Sequence, residues 1–421
     1  SLVGSEMCIR DSTLYDALGP VLGKYYKDAA DAGKLPKTAQ FLSDMNKSAS
    51  TGVAKATYQH PRPYVDRVNF NGTTLNMNGL KQTLNIKKVP GYENFDWGDG
   101  EAPDNEYDGL YNSGSFPSGH TTFAFTQGAG LAYLLPELGP EIMTRVSEAG
   151  NNRIVLGVHY PLDIMGGHIA GQYGVATAVS GEKTAQEGAA ARAELVDYLT
   201  AQCKADNHGD TLDACITNTG ANAANGYRND FTDEVSTKPV TDRASALAAY
   251  KARMTYGFQA TGTTGQAPVV PDSAVRMLDN VAAFKSLDSA QKKAVLAATE
   301  GDSGYPLDAS SQGWARVNLA AAYSAKVTLS ADGKNVVKAE PGQAQASVVR
   351  ETSGNNGNNG GNGNGGSNAG NIGVNNAAGR NPSGTQPLSK TGADVSGIAS
   401  AFILIAAAGV TIMMIRRKHA I

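Results

Sequence analysis

Residues 117–135 read PSGHTTFAFTQGAGLAYLL, which joins the start of a helix to a long apolar run. Ser118 stands at the N-cap position, because a serine hydroxyl can accept hydrogen bonds from the first free N–H groups of a helix. The run from Thr121 to Leu135 is too apolar for a surface helix, so we expect it in the core. The N-terminus of such a helix attracts anions. Gly119 allows close backbone approach to an anion, and His120 lies beside it in the first turn.

A second apolar run, Ile164–Val179, predicts another buried helix. Its small residues permit close contacts between helices; they are Gly166, Gly167, Ala170, Gly171 and Gly174. Upstream, apolar residues recur at helical spacing between Leu14 and Tyr25, and no sustained alternation of period two appears. These patterns predict an all-α core, a helical bundle at residues 13–200.

Helical patterns return further along the chain, at Ala244–Met254 and at Ser286–Thr299. The segment Val327–Val337 has the pattern of a small β-hairpin. Residues 201–345 are therefore expected to form a mostly helical extension of the core.

Two cations stand before the first apolar run. Lys55 precedes Arg62 by seven residues, and both Pro61 and Pro63 should end the helix near His60. Lys55 would then lie in a last helical turn and Arg62 in the extended segment after it. Two converging cations suit an oxyanion. Taken alone, the pair would be interpreted as two solvated surface charges.

A third cluster joins Arg153, His159 and Asp163. Residues four apart share a face of a helix, so we expect the carboxylate of Asp163 to contact the ring of His159. Such a contact fixes the tautomer of a histidine and raises the basicity of its other nitrogen. Arg153 adds a bidentate donor for phosphate. Taken alone, the His–Asp pair could have a purely structural role.

Together the three clusters resemble the signature of the phosphatidic-acid-phosphatase type 2 superfamily: K-x6-R-P, then P-S-G-H, then S-R-x5-H-x3-D. The chain matches ten of the eleven specified positions, and Asn152 stands where the family has Ser. That superfamily groups class A bacterial acid phosphatases, lipid phosphatases and vanadium haloperoxidases. The resemblance implies the helical bundle of the acid phosphatase and vanadium haloperoxidase type. Because asparagine also donates hydrogen bonds, we expect Asn152 to retune the site without abolishing it.

The resemblance also implies a role for each residue. His159 matches the nucleophile that forms a phosphohistidine, and Asp163 orients it. His120 matches the general acid that protonates the leaving oxygen and then activates water. The groups that would hold the phosphoryl oxygens are Lys55, Arg62, Arg153, Ser118 and the Gly119 N–H. No metal or other cofactor is required, and vanadate is expected as an inhibitor.

These features predict a phosphatase of phosphate monoesters, and two alternatives stay open. The same residues hold vanadate in a vanadium-dependent haloperoxidase. A non-catalytic surface binding protein could keep the domain as a scaffold, although intact His120, His159 and Asp163 argue against it. A metal site that adds His168 to these three is disfavoured, because the three cations nearby would repel a divalent ion.

An acidic segment lies between the first two clusters. Residues Gly91–Leu110 hold seven Asp or Glu residues and no Lys or Arg, with aromatic residues interleaved. A solvated loop is the simple explanation. Because the segment directly precedes Ser118, the functional interpretation is a lid at the pocket mouth, stiffened by calcium.

The C-terminal segment has the pattern of a cell-wall sorting signal. Leu388-Ser389-Lys390-Thr391-Gly392 resembles the L-P-x-T-G motif of Gram-positive surface proteins, with Ser389 in place of Pro. The uncharged run Val395–Ile415 follows, which as a helix would span a bilayer core of about 30 Å. Arg416, Arg417 and Lys418 come next, as on a cytoplasmic flank. The resemblance implies cleavage after Thr391, with sortase and peptidoglycan as partners; an ordinary tail anchor is the alternative.

The remaining segments agree with an exported protein. Between Ser353 and Gln386, 22 of 34 residues are Gly or Asn, so residues 346–387 are expected to be a disordered linker. Residues 388–421 form the sorting signal. Residues 1–12 resemble a translated sequencing adapter and are excluded from the fold. Cys203 and Cys215 then remain, which suggests one disulfide or, alternatively, two buried thiols.

The charge balance excludes one class of function. The chain has 36 Lys and Arg against 39 Asp and Glu, a formal net charge of −3. A protein that binds nucleic acid through bulk charge would be strongly basic. We therefore expect no nucleic-acid partner.

Overall fold

The computed structural model describes residues 14–80, 82–89, 106–219, 227–228, 239–308 and 312–352. Most of the regular structure in these ranges is helical, which confirms the all-α prediction. The α-helices are α1 (Pro20–Asp31), α2 (Pro36–Asn46), α3 (Gly52–Tyr58), α4 (Glu106–Leu110), α5 (Gly119–Leu134), α6 (Gly139–Val155), α7 (Pro161–Val179), α8 (Glu182–Ala205), α9 (Leu212–Asn218), α10 (Arg243–Thr255), α11 (Ser289–Thr299) and α12 (Leu319–Tyr323). Short 3₁₀ helices lie at Tyr15–Leu18, Pro136–Leu138, Asp272–Leu278 and Ala282–Phe284.

Helix α5 is the central element of the bundle, as its apolar sequence predicts. Almost every residue from Thr121 to Leu134 is buried, and the helix packs along both α6 and α7. Two glycines of α7 make the second contact possible. A Cβ atom on Gly171 would lie 2.4 Å from Phe125 Cβ, and one on Gly167 would lie 2.8 Å from the carbonyl oxygen of Ser118. Helices α5 and α7 are therefore in close contact near the start of α5.

The later part of the chain shares its core with the bundle. Phe41 and Leu131 belong to the same buried apolar cluster as Leu278 and Trp314. The predicted helices of this part are present as α10 and α11. Helices of both parts thus pack around one continuous hydrophobic core.

A buried ion pair fastens α10 to the bundle. The guanidinium of Arg243 donates to both carboxylate oxygens of Glu141, at 2.7 and 2.8 Å. It also donates to the carbonyl oxygens of Glu137 and Ala344, at 2.8 and 2.7 Å. Both side chains are almost completely buried. One arginine therefore joins α6, α10 and the segment after the hairpin.

A small sheet follows α12. Strands β1 (Lys326–Leu329) and β2 (Val336–Glu340) form the hairpin that the sequence indicates. A third strand, β3 (Ser347–Arg350), pairs with β1 in parallel, so the strand order is β2-β1-β3. Strand β3 lies within residues 346–387, which were expected to be a disordered linker, so the start of that linker was predicted too early. Four residues at a sheet edge give too short a pattern to recognise from sequence.

A disulfide joins Cys203 at the end of α8 to Cys215 in α9, with both residues fully buried. The two free thiols considered as an alternative are thus not what the structure contains.

Several predicted features lie outside the described residues: the segment 1–12, most of the acidic segment 91–110, the Asn/Gly-rich linker after Thr352, and the sorting signal with its apolar run. The last residues of the acidic segment form α4. Within the ranges that the structure describes, no helix has both the length and the apolar character needed to cross a membrane.

Candidate active site

Arg62 is held by the backbone of its surroundings. Helix α3 ends at Tyr58, and Gln59 takes a left-handed conformation (φ 47°) before the prolines, as expected from the sequence. Arg62 is 2% exposed, and its guanidinium donates through Nε to the carbonyl oxygens of Leu110 and Ser113, each at 3.2 Å. It donates through Nη1 to the carbonyl oxygen of Val158 at 3.0 Å. Arg62 is therefore fixed in place and is not a solvated charge.

Lys55 faces the same space from α3. Its Nζ atom donates to the carbonyl oxygen of Gly114. Burial lowers the pKa of Lys55 to about 7, assisted by the positive charges of Arg62 and Arg153 and opposed by Asp163. The charges of Arg62 and Arg153 thus act on Lys55, although the three residues come from three separate segments of the chain.

His159 and Asp163 are in contact, but not along a helix face as the sequence analysis assumed. Helix α7 begins at Pro161, so His159 precedes the helix and Asp163 is its third residue. Asp163 Oδ2 accepts from the N–H of Tyr160 at 2.8 Å and lies 3.1 Å from Nδ1 of His159. The carboxylate caps the helix and contacts the ring at the same time.

The contacts of His159 assign its tautomer. Nη1 of Arg62 lies 2.9 Å from Nε2 of His159. Because a guanidinium can only donate, Nε2 must accept, and the ring hydrogen is then on Nδ1, where it is donated to Asp163. Burial lowers the pKa of His159 well below its ordinary value, and Arg62, Arg153 and Lys55 lower it further. His159 is therefore neutral, with its lone pair on Nε2.

Asp163 is buried, and its ionisation depends on its neighbours. Burial raises the pKa of Asp163 to about 7, while the N–H of Tyr160, Arg62, Lys55 and the hydroxyl of Ser115 act in the opposite direction. Loss of any of these four groups would raise the pKa further.

Ser118 is the N-cap of α5, as predicted. Its Oγ accepts from the N–H of Thr121 at 3.2 Å and from the Thr121 hydroxyl at 2.8 Å. Its N–H donates to the carbonyl oxygen of Asp163 at 3.0 Å, which ties the start of α5 to the start of α7. Gly119 has room beside it, since an added Cβ atom would meet its nearest protein atom, Thr51 Oγ1, at 3.7 Å.

His120 and Arg153 complete the predicted group. His120 is half-buried in the first turn of α5, and Arg153 is fully buried in the last turn of α6. Burial lowers the pKa of His120 well below its ordinary value, and the charges of Arg153, Arg62 and Lys55 lower it further. The same three cations thus act on both histidines. Asn152, the residue that departs from the family signature, is buried next to Arg153.

Two residues close to Asp163 were not predicted from the sequence. Ser115 Oγ lies 3.4 Å from Asp163 Oδ1 and 3.1 Å from Nδ1 of His60. Ser115 belongs to none of the three motifs, and His60 gave no signal beyond its residue type.

His168 lies elsewhere in the core. Its ring stacks on Phe125 at 4.1 Å, and its Nε2 lies 2.8 Å from the hydroxyl of Tyr250. Burial lowers its pKa to about 4. In the part of the chain that the structure describes, no three His, Cys, Asp or Glu side chains are grouped as metal ligands.

A family model and two acid phosphatases match parts of this chain. Residues 39–185 match the family model of the PAP2 superfamily. An acid phosphatase of Zymomonas mobilis subsp. mobilis (strain ATCC 31821 / ZM4 / CP4) is 40% identical over 62 residues, which are 15% of this chain and 24% of that protein. A non-specific acid phosphatase of Providencia stuartii is 33% identical over 72 residues, which are 17% of this chain and 29% of that protein. The chain thus spans less than a third of the length of either relative. Residues 39–185, which match the PAP2 superfamily model, contain every residue of the candidate site.

Proposed function

We propose that this protein is a phosphomonoesterase of the acid phosphatase type, which acts through a phosphohistidine on His159. The observation that carries the proposal is the pair of contacts on the His159 ring. Asp163 receives the hydrogen of Nδ1, and Arg62 faces the lone pair of Nε2. A neutral imidazole with a directed lone pair is a nucleophile, and a guanidinium beside it attracts a phosphoryl group.

The first step transfers the phosphoryl group to the protein. Nε2 of His159 forms the N–P bond as the P–O bond to the leaving group breaks. His120 gives its proton to the leaving oxygen, which departs as an alcohol. The cations depress the pKa of His120 in the unliganded site. A dianionic substrate offsets these charges and so favours the protonated His120 that the step needs.

The second step releases phosphate. His120, now neutral, takes a proton from water, and the resulting hydroxide attacks phosphorus as the N–P bond breaks. The electron pair of that bond returns to Nε2, and the proton stays on His120 for the next cycle. Lys55, Arg62 and Arg153, together with the start of α5 at Ser118 and Gly119, face the phosphoryl oxygens, where charge accumulates in both transition states. The proposal needs no metal or other cofactor.

The location proposed is the Gram-positive cell surface. Its support is the order of three sequence features: the Leu388–Gly392 motif, the apolar run and the basic tail. Sortase would cleave after Thr391 and attach the protein to peptidoglycan. The expected behaviour is resistance to detergent and release by muralytic enzymes. Release of the intact protein by detergent alone would indicate a tail anchor instead.

The activity is tested by phosphate release from a chromogenic aryl phosphate, with quenched samples examined for phosphohistidine by mass spectrometry. We expect turnover unaffected by chelators, competitive inhibition by vanadate, and a label on His159. His159→Ala should lower kcat about a thousandfold or more, whereas His208→Ala, remote from the site, should leave it unchanged. Chelator-sensitive hydrolysis, or halide oxidation with vanadate and peroxide in place of hydrolysis, would overturn the proposal.

A further inference from the structure

We propose that Ser115 and His60 are positioning residues that hold the carboxylate of Asp163 against His159 through a chain of hydrogen bonds. The inference rests on the proposed function, since it concerns how the nucleophile is oriented. It assigns a role to a serine and a histidine that lie outside the three sequence motifs.

The chain of contacts is continuous. The two oxygens of Asp163 have separate tasks: Oδ2 serves His159 and the N–H of Tyr160, while Oδ1 lies 3.4 Å from Ser115 Oγ. Ser115 Oγ lies 3.1 Å from Nδ1 of His60. The backbone also joins the last two residues, because the N–H of Ser115 donates to the carbonyl oxygen of His60 at 2.8 Å. Ser115 is fully buried, so water does not compete for its hydroxyl.

The direction of the hydrogen bonds follows from proton counting. A serine hydroxyl has one hydrogen, and a buried carboxylate oxygen is the stronger acceptor. If Ser115 donates to Asp163, it must accept from His60, whose hydrogen is then on Nδ1. With Asp163 ionised, the reverse direction would leave the lone pairs of two oxygens facing each other in a buried space. The arrangement that satisfies every atom thus requires a donor at position 60.

The surroundings of His60 keep this ring neutral and in place. Its ring packs edge-on against Tyr160 at 5.2 Å, and the guanidinium of Arg67 lies over the same tyrosine. Burial lowers the pKa of His60, and the charge of Arg67 lowers it further, although a hydrogen bond to Pro61 opposes both. Burial and the charge of Arg67 therefore favour the neutral imidazole at position 60.

The expected consequence is specific to the chemical step. Without the Ser115 hydroxyl, Asp163 keeps only the partners of Oδ2 and can rotate away from His159. Partners of this kind that orient a reactive ligand are worth about tenfold to a hundredfold in activity. The cations that bind phosphate are untouched, so kcat should fall while KM stays within about twofold.

The experiment compares variants that keep or lose each donor. Ser115→Ala and His60→Leu should each lower kcat about tenfold or more. His60→Asn should keep most of the activity, because an asparagine amide places an N–H donor near the position of Nδ1. The double variant Ser115→Ala/His60→Leu should be no worse than Ser115→Ala alone, since the two residues act through one chain. Ser324→Ala is the matched control, as it removes another fully buried hydroxyl remote from the site.

The pH profile gives an independent readout. The Ser115 hydroxyl favours ionised Asp163, so its removal should raise the pKa of that carboxyl and move the acidic limb of kcat to higher pH. Additive losses in the double variant, equal losses in His60→Asn and His60→Leu, or an unchanged kcat in Ser115→Ala would overturn the inference. If Ser115→Ala does not fold, the two His60 variants decide. A wild-type protein that forms no phosphohistidine would instead overturn the proposed function.

Discussion

Nη1 of Arg62 lies 2.9 Å from Nε2 of His159, although the two residues are 97 positions apart in the sequence. The contact keeps the nucleophilic nitrogen unprotonated, because a positive charge beside it disfavours imidazolium. In the proposed reaction, an arriving phosphoryl oxygen takes the hydrogen bond from Arg62, and the lone pair of Nε2 is then open to phosphorus. One guanidinium thus protects the nucleophile before binding and holds the substrate after it.

Replacing this guanidinium should change both rate and pH dependence. Arg62→Gln should lower kcat/KM for an aryl phosphate about a hundredfold, since one preorganised donor to the transition state is lost. It should also raise the pKa of His159, because Arg62 is one of the charges that lower it. The acidic limb of kcat/KM should therefore move to higher pH. The control is Arg276→Gln on the surface, and an unmoved limb would contradict the inference that the charge of Arg62 lowers the pKa of His159.

Replacing the general acid should separate good leaving groups from poor ones. In His120→Ala, alkyl phosphates should lose at least about a hundredfold more activity than a nitrophenyl ester, whose leaving group needs no proton. Water activation also needs His120, so the phosphoenzyme should accumulate with the nitrophenyl ester. A burst of nitrophenol and labelled protein in quenched samples measure this. Equal losses for both esters would remove His120 from the role of acid.

Binding of an anion should depend on the charge of Lys55. Its pKa of about 7 in the empty site means that it loses its proton as the pH rises through neutrality. Binding of tungstate, a dianion that does not titrate in this range, should weaken about tenfold from about pH 6 to about pH 9. Lys55→Arg should reduce this dependence to the part contributed by Asp163, because arginine stays charged.

Calorimetric titration of tungstate measures the binding constant at each pH. Lys47→Arg, an exposed lysine paired with Asp44, should behave like wild type. If Lys55→Arg has the same pH dependence as wild type, the neutral form of Lys55 plays no part in binding.

The buried ion pair between Arg243 and Glu141 should contribute more to the free energy of unfolding than an exposed ion pair does. Arg243→Ala leaves Glu141 buried without its partner and also frees the carbonyl oxygens of Glu137 and Ala344. The free energy of unfolding should fall by about 3 to 5 kcal/mol. Arg276→Ala breaks an exposed pair with Asp279 and should cost less than about 1 kcal/mol. Denaturant unfolding measures the stability of both variants. Equal losses of unfolding free energy would contradict the prediction that the buried pair contributes more.

The amino-acid sequence was enough to predict the main helices, and its three motifs named most of the residues in the candidate site. The apolar run of α5 requires a buried helix wherever it is placed, and Ser118 caps that helix through atoms only three residues away. The prolines around Arg62 likewise end α3 by local geometry alone. Such features depend on neighbouring residues in the chain, so a pattern is enough to predict them.

How these residues contact one another depends on the packing of the helices. Asp163 reaches His159 across the start of α7 and not along a helix face, and it does so because its carboxylate caps that helix. Ser115 comes to Asp163 over 48 residues of sequence, where α7 lies close to α5 through its glycines. Contacts of this kind depend on how helices pack, and packing is a property of the whole core that no local pattern contains.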